Sequence, residues 1–129
     1  MSLLDSVERL RTGLDYHLAR HNVLVSNLAQ VDTPAYKPVD LARSDFDDEL
    51  GVALTATEPG HIGTPAGGET PFRVDEDPST KTGADGNGVD VDREAVKIAT
   101  NQIRYDFVAQ LASSQLSTLD WAASDGRTG

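Results

Sequence analysis

The first 31 residues of the chain carry an apolar heptad repeat. His17 and His21 fill its one gap, so the rhythm of four- and three-residue steps is unbroken from residue 3 to residue 31. Such a repeat is typical of the coiled-coil seam of a long helix, and a helix of about 30 residues is roughly 45 Å long. A helix of that length needs a partner for its seam. The apolar positions of the repeat are Leu3, Val7, Leu10, Leu14, Leu24, Leu28 and Val31, and Leu4, Leu18 and Val25 widen the stripe.

A second helix of similar length is predicted at the other end of the chain. Residues 93–125 contain no glycine or proline, and acidic residues cluster at their start, where negative charge suits a helix N-terminus. Gly126 marks the predicted end of this helix. Two neighbouring apolar stripes run along it. The first is Val96, Ala99, Ile103, Phe107 and Leu111, and the second is Tyr105, Val108, Ala112, Leu116, Leu119 and Ala122.

The segment between the helices is acidic and rich in turn-forming residues. Residues 32–92 hold four bases against fourteen acids, together with all six prolines and eight of the eleven glycines, while both ends are neutral. Between loops we predict a short helix over residues 44–54 and a short strand over residues 71–74. The predicted parts are an N-terminal assembly helix at 1–33, an irregular acidic middle at 34–90 and a C-terminal assembly helix at 91–125.

The predicted fold class is mainly α. Two long terminal helices pair as a coiled-coil-like hairpin, and the irregular acidic middle supplies a short helix, a short strand and loops. Two interpretations of the apolar stripes stay open: the helices close on each other within one chain, or their stripes pack partly against other subunits. Only seven residues are aromatic, so a single chain builds a thin core.

Composition excludes several classes of function. A formal net charge of −10 leaves no basic footprint for nucleic acid. No run of about 18 apolar residues is present that would span a membrane directly. The N-terminal residues lack the basic start, apolar block and cleavage site of a Sec-type signal peptide, so we expect no cleaved signal of that type. The lack of cysteine removes disulfides, thiolate metal sites and cysteine nucleophiles.

Three clusters of polar residues are candidates for metal binding or catalysis. A purely structural role explains each of them better. Residues 85–92 (DGNGVDVD) resemble calcium loops but lack the ligand and the glycine of EF-hand positions five and six, so a loop leading into an acidic helix start explains them better. His17 and His21 have the i, i+4 spacing of zinc ligands, but His61 is distant in sequence, so a helical interface explains the pair. The acidic run at 45–49 fits a solvated helix face. We therefore predict no enzyme, no metal and no cofactor.

Residues 20–37 (RHNVLVSNLAQVDTPAYK) carry the most specific pattern in the chain. They resemble the N-terminal signature of bacterial flagellar rod and hook proteins, which is roughly NIANxxTPGYK. Gln30 stands where that pattern has asparagine, and Ala35 where it has glycine. Glycine there would permit a left-handed turn, so alanine implies either a different turn or a family without that requirement. The matching positions are Asn27, Ala29, Thr33, Pro34, Tyr36 and Lys37.

Further segments agree with the same family in order and spacing. Residues 45–50 are similar to a DF…L stretch, residues 54–62 to a T…HI segment and residues 101–105 to an N…RY centre. Residues 87–94 (NGVDVDRE) resemble the pattern NxVDxDxE that opens the C-terminal helix. The matching positions of this last pattern are Asn87, Val89, Asp90, Asp92 and Glu94.

The resemblance implies a structural subunit of the flagellar basal-body rod. The short chain, without a large inserted domain, points to the proximal rod, the part of the drive shaft that links the membrane ring to the distal rod and hook. The implied partners are other rod subunits, rod-base proteins at the MS-ring junction, copies of the chain and the flagellar type III export apparatus. That apparatus would deliver the chain, uncleaved, to the periplasm-spanning rod. The expected interface residues are the seven apolar heptad positions of the first helix with Val96, Ile103, Phe107, Leu111, Leu116 and Leu119.

Two alternatives accompany this prediction. Phe46 and Leu50 fit the FxxxΦ pattern of an export-gate motif in rod and hook subunits, although the buried face of a short helix explains the pair equally well. A helical hairpin is also suited to binding a soluble partner, so an export adaptor or chaperone is the second candidate function.

Overall fold

The computed structural model of the chain describes residues 3–42, 72–78 and 80–124. The predicted mainly α fold with two long terminal helices is confirmed. None of the helices in these ranges is long and apolar enough to cross a membrane. The short helix predicted over residues 44–54 lies outside the described residues. The elements are helix α1 (Leu3–Ala29), strand β1 (Val39–Leu41), strand β2 (Val74–Glu76) and helix α2 (Val91–Ala123).

α1 and α2 lie antiparallel and form a hairpin. Near the start of α1, the Ser6 hydroxyl donates to Gln115 Oε1 near the end of α2, at 3.4 Å. Near the end of α1, Asn27 Nδ2 donates to Glu94 Oε2 in the first turn of α2, at 3.0 Å. Every described heptad side chain of α1 is partly or fully buried, and Leu24 is completely buried. The seam predicted on α1 is therefore covered by α2 of the same chain.

α2 meets α1 with a stripe that the apolar pattern alone reveals only in part. Its partly and fully buried positions include a heptad series in which three of eight residues are polar. Polar residues at core positions hide such a stripe from a search for apolar periodicity. Leu116 and Ala122 of the second predicted stripe fall outside this rhythm and are exposed. The series that faces α1 is Glu94, Ile98, Asn101, Tyr105, Val108, Ala112, Gln115 and Leu119.

A two-stranded antiparallel ribbon packs on one flank of α1. β1 and β2 pair with Asp40 opposite Asp75. Leu41 of β1 and Phe72, just before β2, form a buried apolar cluster with Tyr16 of α1. The Phe72 and Tyr16 rings meet edge to face, with their centroids 5.3 Å apart. This cluster is a buried apolar contact between the helical hairpin and the middle of the chain.

Two arginines neutralise the like charges that the ribbon places opposite each other. Directly opposed carboxylates repel across a strand pair. Arg20 of α1 binds Asp40 through two hydrogen bonds, Nε–Oδ1 at 2.8 Å and an Nη–Oδ2 bond at 2.9 Å. Arg73 binds Asp75 at 2.7 Å. The hydrogen bond to Asp40 raises the pKa of Arg20 above its usual value against the opposing effect of burial. The Arg20–Asp40 pair therefore ties β1 to α1 at any physiological pH.

The strand predicted over residues 71–74 was wrong in its position. β2 begins at Val74, and β1, its partner, was not predicted. The apolar side chain of Phe72 suggested a strand, but it belongs to the buried cluster on α1. The residues of β2 are all exposed, so burial of its side chains does not stabilise the strand. Hydrogen bonding to β1 forms it instead.

The segment after α1 keeps a left-handed turn at an alanine. α1 ends before Pro34, and turn hydrogen bonds such as Thr33 N–Gln30 O, at 3.0 Å, continue the chain. Ala35 has a φ of +59°, and its N–H donates to the carbonyl of Asp85 at 3.2 Å. The first interpretation of this alanine, a different turn, is therefore wrong: the left-handed turn is retained at a strained residue.

Replacing Ala35 with glycine should stabilise the fold. The left-handed conformation costs a Cβ-bearing residue about 1–2 kcal/mol, and glycine loses part of that gain through the greater freedom of its unfolded state. We expect Ala35→Gly to raise the free energy of unfolding by about 0.5–1 kcal/mol, measured by urea titration.

Ala84→Gly is the matched control, because Ala84 is exposed in the facing turn and has no positive φ. It should destabilise the chain by about 0.4–1 kcal/mol. Equal effects of the two substitutions would show that the turn at Ala35 carries no strain.

Candidate assembly surface

Asn27 joins α1, β1 and α2 through its side-chain amide. Its Nδ2 donates to the Val39 carbonyl at 2.7 Å and to Glu94 Oε2 at 3.0 Å. Its Oδ1 accepts from the Val39 N–H at 3.0 Å and from the Tyr36 hydroxyl at 3.2 Å. Asn27 is completely buried, so each donor and acceptor of its amide needs a partner, and each has one.

A charged cluster continues from Asn27 along the first turns of α2. Glu94 is only 2% exposed, and its Oε1 accepts from Lys97 Nζ at 3.0 Å. Lys97 also donates to Asp77, which follows β2, and Arg93 reaches the same carboxylate at 3.4 Å. Burial lowers the pKa of Lys97, but its hydrogen bonds to Asp77 and Glu94 and their charges outweigh burial and raise it above 10.5. Lys97 is therefore held charged between two buried acids.

Asn87 connects the turn that follows α1 to the loop that precedes α2. Its Nδ2 donates to three carbonyls, those of Gln30 at 3.0 Å, Val31 at 2.7 Å and Thr33 at 2.8 Å. Its Oδ1 accepts from the Val89 N–H at 2.7 Å. Asp90 then caps α2, because its Oδ1 accepts from the Arg93 N–H at 3.2 Å. Residues 85–92 are thus a loop leading into a capped helix, as the structural explanation of this segment predicted.

His17 lies in the interface between the two helices. His17 Nδ1 and Asn101 Oδ1 are 2.8 Å apart, and Asn101 Nδ2 donates to the His17 carbonyl at 2.7 Å. Since an amide oxygen only accepts, the proton sits on His17 Nδ1. In the part of the chain that the structure describes, no three His, Cys, Asp or Glu side chains are grouped so that they could hold a metal. His61 lies outside that part.

The signature residues thus separate into two groups. Four of them meet in the polar junction: Asn27, Tyr36 and Glu94 around one amide, and Asn87 beside them on the end of α1. The others are more exposed, apart from Val89, whose N–H is bonded to Asn87. These exposed residues are Ala29, Thr33, Pro34, Lys37, Asp90 and Asp92.

α2 presents a second apolar stripe on the side opposite α1, which we call the outer face. Ile103 is 70% exposed, Phe107 67% and Val96 66%. At about 100° per residue, these positions lie roughly half a turn from the series that faces α1. Contiguous apolar surface of this kind marks an interaction site. The outer face comprises Val96, Thr100, Ile103, Phe107, Leu111, Ser114, Thr118 and Trp121.

The outer face is suited to burial along its whole length. None of its eight residues is charged. Two of its hydroxyls are already bonded within the helix, Thr100 to the Val96 carbonyl at 2.8 Å and Thr118 to the Ser114 carbonyl at 3.0 Å. Covering these hydroxyls would therefore leave no hydrogen bond unmade.

The expected interface residues occupy several kinds of position. Val96, Ile103, Phe107 and Leu111 lie on the outer face, and Leu116 is exposed beside the hairpin seam. Leu24 is fully buried by the chain itself. The side chain of Leu3 and the candidate export-gate pair Phe46 and Leu50 lie outside what the structure describes. The remaining expected residues lie partly buried in or next to the hairpin seam: Val7, Leu10, Leu14, Leu28, Val31 and Leu119.

Several residues of the outer face and of the charged cluster were not identified from the sequence. Trp121 extends the outer face by three turns beyond Leu111, and its spacing in the stripe was a signal that could have found it. Lys97 and Asp77 gave no such signal, because their pairing depends on how the ribbon meets α2.

Comparison with known proteins places this chain in a family. No protein-family model matches the chain. The Escherichia coli protein named flagellar basal body rod protein FlgB is 34% identical, and the match covers 88% of this chain and 89% of the relative. This chain belongs to the FlgB family. FlgB proteins of Aquifex aeolicus and Bacillus subtilis are 30% and 25% identical, over 93% and 98% of this chain.

FlgB membership confirms the resemblance to flagellar rod proteins that residues 20–37 and 87–94 indicated. The chain is accordingly a structural subunit of the flagellar basal-body rod. FlgB proteins are structural, which fits the expectation that this chain is not an enzyme.

Removing the Asn27 side chain from this FlgB protein should weaken the hairpin strongly. Asn27→Ala leaves the Val39 N–H, the Tyr36 hydroxyl and Glu94 short of partners in a buried site. We expect a loss of about 2–4 kcal/mol in the free energy of unfolding, measured by urea titration.

The control for that experiment is Asn22→Ala, at an exposed position of the same helix. It should change the free energy of unfolding by no more than about 0.5 kcal/mol. A similar small effect for Asn27→Ala would mean that the junction adds nothing net to stability.

Alkaline pH should weaken the fold through Lys97. Because the pKa of Lys97 is higher in the folded than in the unfolded chain, its contribution is complete below the unfolded value near 10.5. That contribution is lost as pH rises through the folded pKa. We expect Tm to fall more steeply above about pH 10 in the unmodified chain than in Lys97→Met. Lys81→Met, at an exposed position, should keep the original slope, and identical slopes in all three proteins would exclude a role for Lys97.

Proposed function

We propose that the outer face of α2 is the surface on which neighbouring subunits pack when this protein assembles into the proximal part of the rod. The proposal rests on one observation: α2 is apolar on two opposite sides, and the part of the chain that the structure describes covers only one of them. In water such a helix leaves a long apolar stripe exposed, and covering that stripe is the main driving force available for association.

α1 supplies a matching surface for a neighbouring copy. Leu4, Leu18 and Val25 are exposed along one flank of the hairpin, at steps of fourteen and seven residues, and the exposed Arg11 lies between the first two. The outer face of one subunit, packed against this flank of the next, makes a heterologous contact between different surfaces. Repetition of such a contact without closure builds an open helical array, which is the form of a rod. Copies of this chain, other rod subunits and the rod-base proteins at the MS-ring junction are the proposed occupants.

Charge supports the same division of the chain. The two terminal segments, proposed as assembly helices over 1–33 and 91–125, carry few net charges, whereas residues 32–92 hold the whole acidic excess. Net repulsion opposes close packing of copies. We therefore propose that the acidic middle at 34–90 stays outside the helical packing of the drive shaft.

We also propose the route by which the subunit reaches its place. The flagellar type III export apparatus would carry the chain, without a cleaved signal peptide, to the periplasm-spanning rod. Phe46 and Leu50 are the candidate export-gate motif. The subunit then acts by packing alone, without catalysis, metal or cofactor.

Charge on the outer face should block assembly without harming the hairpin. Ile103 and Phe107 are largely exposed in the isolated chain, so Ile103→Asp and Phe107→Asp should change its free energy of unfolding by at most about 0.5 kcal/mol. In the rod, either variant would bury an unpaired carboxylate. We expect the protein to be absent from purified basal bodies and motility to be lost in cells that carry only the variant.

Ser113→Asp is the matched control, because Ser113 lies in an exposed stripe that already carries Asp106 and Asp120 at seven-residue spacing. It should enter the rod normally. Normal motility with Ile103→Asp and Phe107→Asp would show that the outer face is not an assembly interface. If cells without the gene still built complete rods, the export adaptor or chaperone hypothesis would replace the structural one.

A further inference from the structure

Asn87 and Gly88 form the only Asn–Gly pair in the chain, and the pair lies in the polar junction. Glycine after asparagine gives the backbone nitrogen free access to the asparagine side chain, and asparagine is among the thermolabile residues. We propose that Asn87–Gly88 is a deamidation site that is reactive in the unfolded chain and closed in the folded hairpin. This inference does not depend on the rod function.

The reaction needs only water and a base. The backbone nitrogen of Gly88 gives its proton to the base and attacks Cγ of Asn87, forming a carbon–nitrogen bond. The side-chain amide nitrogen takes up a proton and leaves as ammonia, which closes a five-membered succinimide. Water then adds to one of the two ring carbonyls and opens the ring to aspartate or isoaspartate. No oxidant or other co-reactant is required.

The folded hairpin holds both reacting groups away from this geometry. The Gly88 N–H donates to the Tyr36 carbonyl at 3.0 Å, so the proton that the attacking nitrogen must lose is held in a backbone hydrogen bond. The Asn87 amide is fixed by its three carbonyl acceptors and by the Val89 N–H. Asn87 is 7% exposed. Cyclisation therefore requires the loop to open first.

The fold also favours both residues of the reactive pair. A Cβ on residue 88 would lie 3.0 Å from Pro38 Cδ and 3.3 Å from Thr80 Cβ, so a larger residue than Gly88 would displace its neighbours. At residue 87, only an amide side chain presents N–H donors to the end of α1 and an acceptor to Val89. The residues that pack best in the closed hairpin are thus the same two residues that deamidate most readily when the hairpin opens.

Conversion of Asn87 would prevent the hairpin from closing again. In Asn87, the Nδ2 group faces three carbonyl oxygens at 2.7–3.0 Å. The product carries a carboxylate oxygen at that place. Acceptors would then face acceptors in a buried site, and a charge would lack a partner. Isoaspartate would in addition lengthen the backbone between Gly86 and Gly88. A converted chain is therefore expected to remain open.

The first test compares the full chain in native buffer and in guanidinium chloride, both warm and mildly alkaline. Peptide mass spectrometry follows amide loss at Asn87, and Asn22, Asn27 and Asn101 serve as internal controls because larger residues follow them. We expect Asn87 to convert about tenfold faster than the controls in denaturant, and at least about tenfold more slowly in native buffer. Equal rates at Asn87 in the two conditions, or no excess over the controls in denaturant, would overturn the proposal.

The second test examines the consequence of conversion. A partly converted sample is returned to native buffer and briefly digested with protease, and the surviving and cleaved fractions are compared. We expect converted chains to be depleted at least about tenfold from the surviving fraction. The variant Asn87→Asp should likewise lose its thermal transition, whereas Asn22→Asp should keep it. If converted chains survive protease as well as unconverted ones, the site has no effect on folding.

Discussion

The requirement that buried polar groups be paired governs the junction on which the whole hairpin depends. Asn27 and Glu94 are almost without solvent contact, and Asn87 is nearly so. A buried amide or carboxylate without partners costs several times the net gain of an ordinary hydrogen bond. The three side chains can therefore be buried only when the end of α1, the start of α2 and the segment before β1 are all in place. This shared requirement sets where the two helices meet.

The composition of the hairpin interface follows from the same junction. Near the junction α2 turns Glu94 and Asn101 toward α1, and further along it turns Gln115, so the inner side of the hairpin is partly polar. The more apolar side of α2 is consequently left outside. Ile103 and Phe107 lie there without contributing to the isolated fold. A chain of this size with so few aromatic residues gains little stability on its own, and the exposed outer face is the surface that we propose for contacts with other subunits.

Family membership and physical structure agree on the role of the signature residues. The positions that resemble flagellar rod proteins are not gathered on the exposed apolar surface. Tyr36 and Asn87 instead hold the connections between the helices, and Asp90 caps α2. Their role is to fix the geometry of the hairpin, which in turn sets the direction of the outer face. The same close packing explains why the chain carries the reactive Asn87–Gly88 pair at a place where folding protects it.

The sequence by itself determined the two long helices, the loop that leads into the acidic start of α2, and the family. These features depend on local periodicity, on the preference of a helix N-terminus for negative charge and on a linear motif, all of which can be seen in one dimension. Only the tertiary structure decided which side of α2 faces α1, because Glu94 and Asn101 become suitable core residues only through partners distant in sequence. The ribbon is a similar case, since the exposed and acidic β2 exists through its pairing with β1. Ala35 shows the same limit, because its left-handed turn is imposed by the facing loop against the preference of the residue.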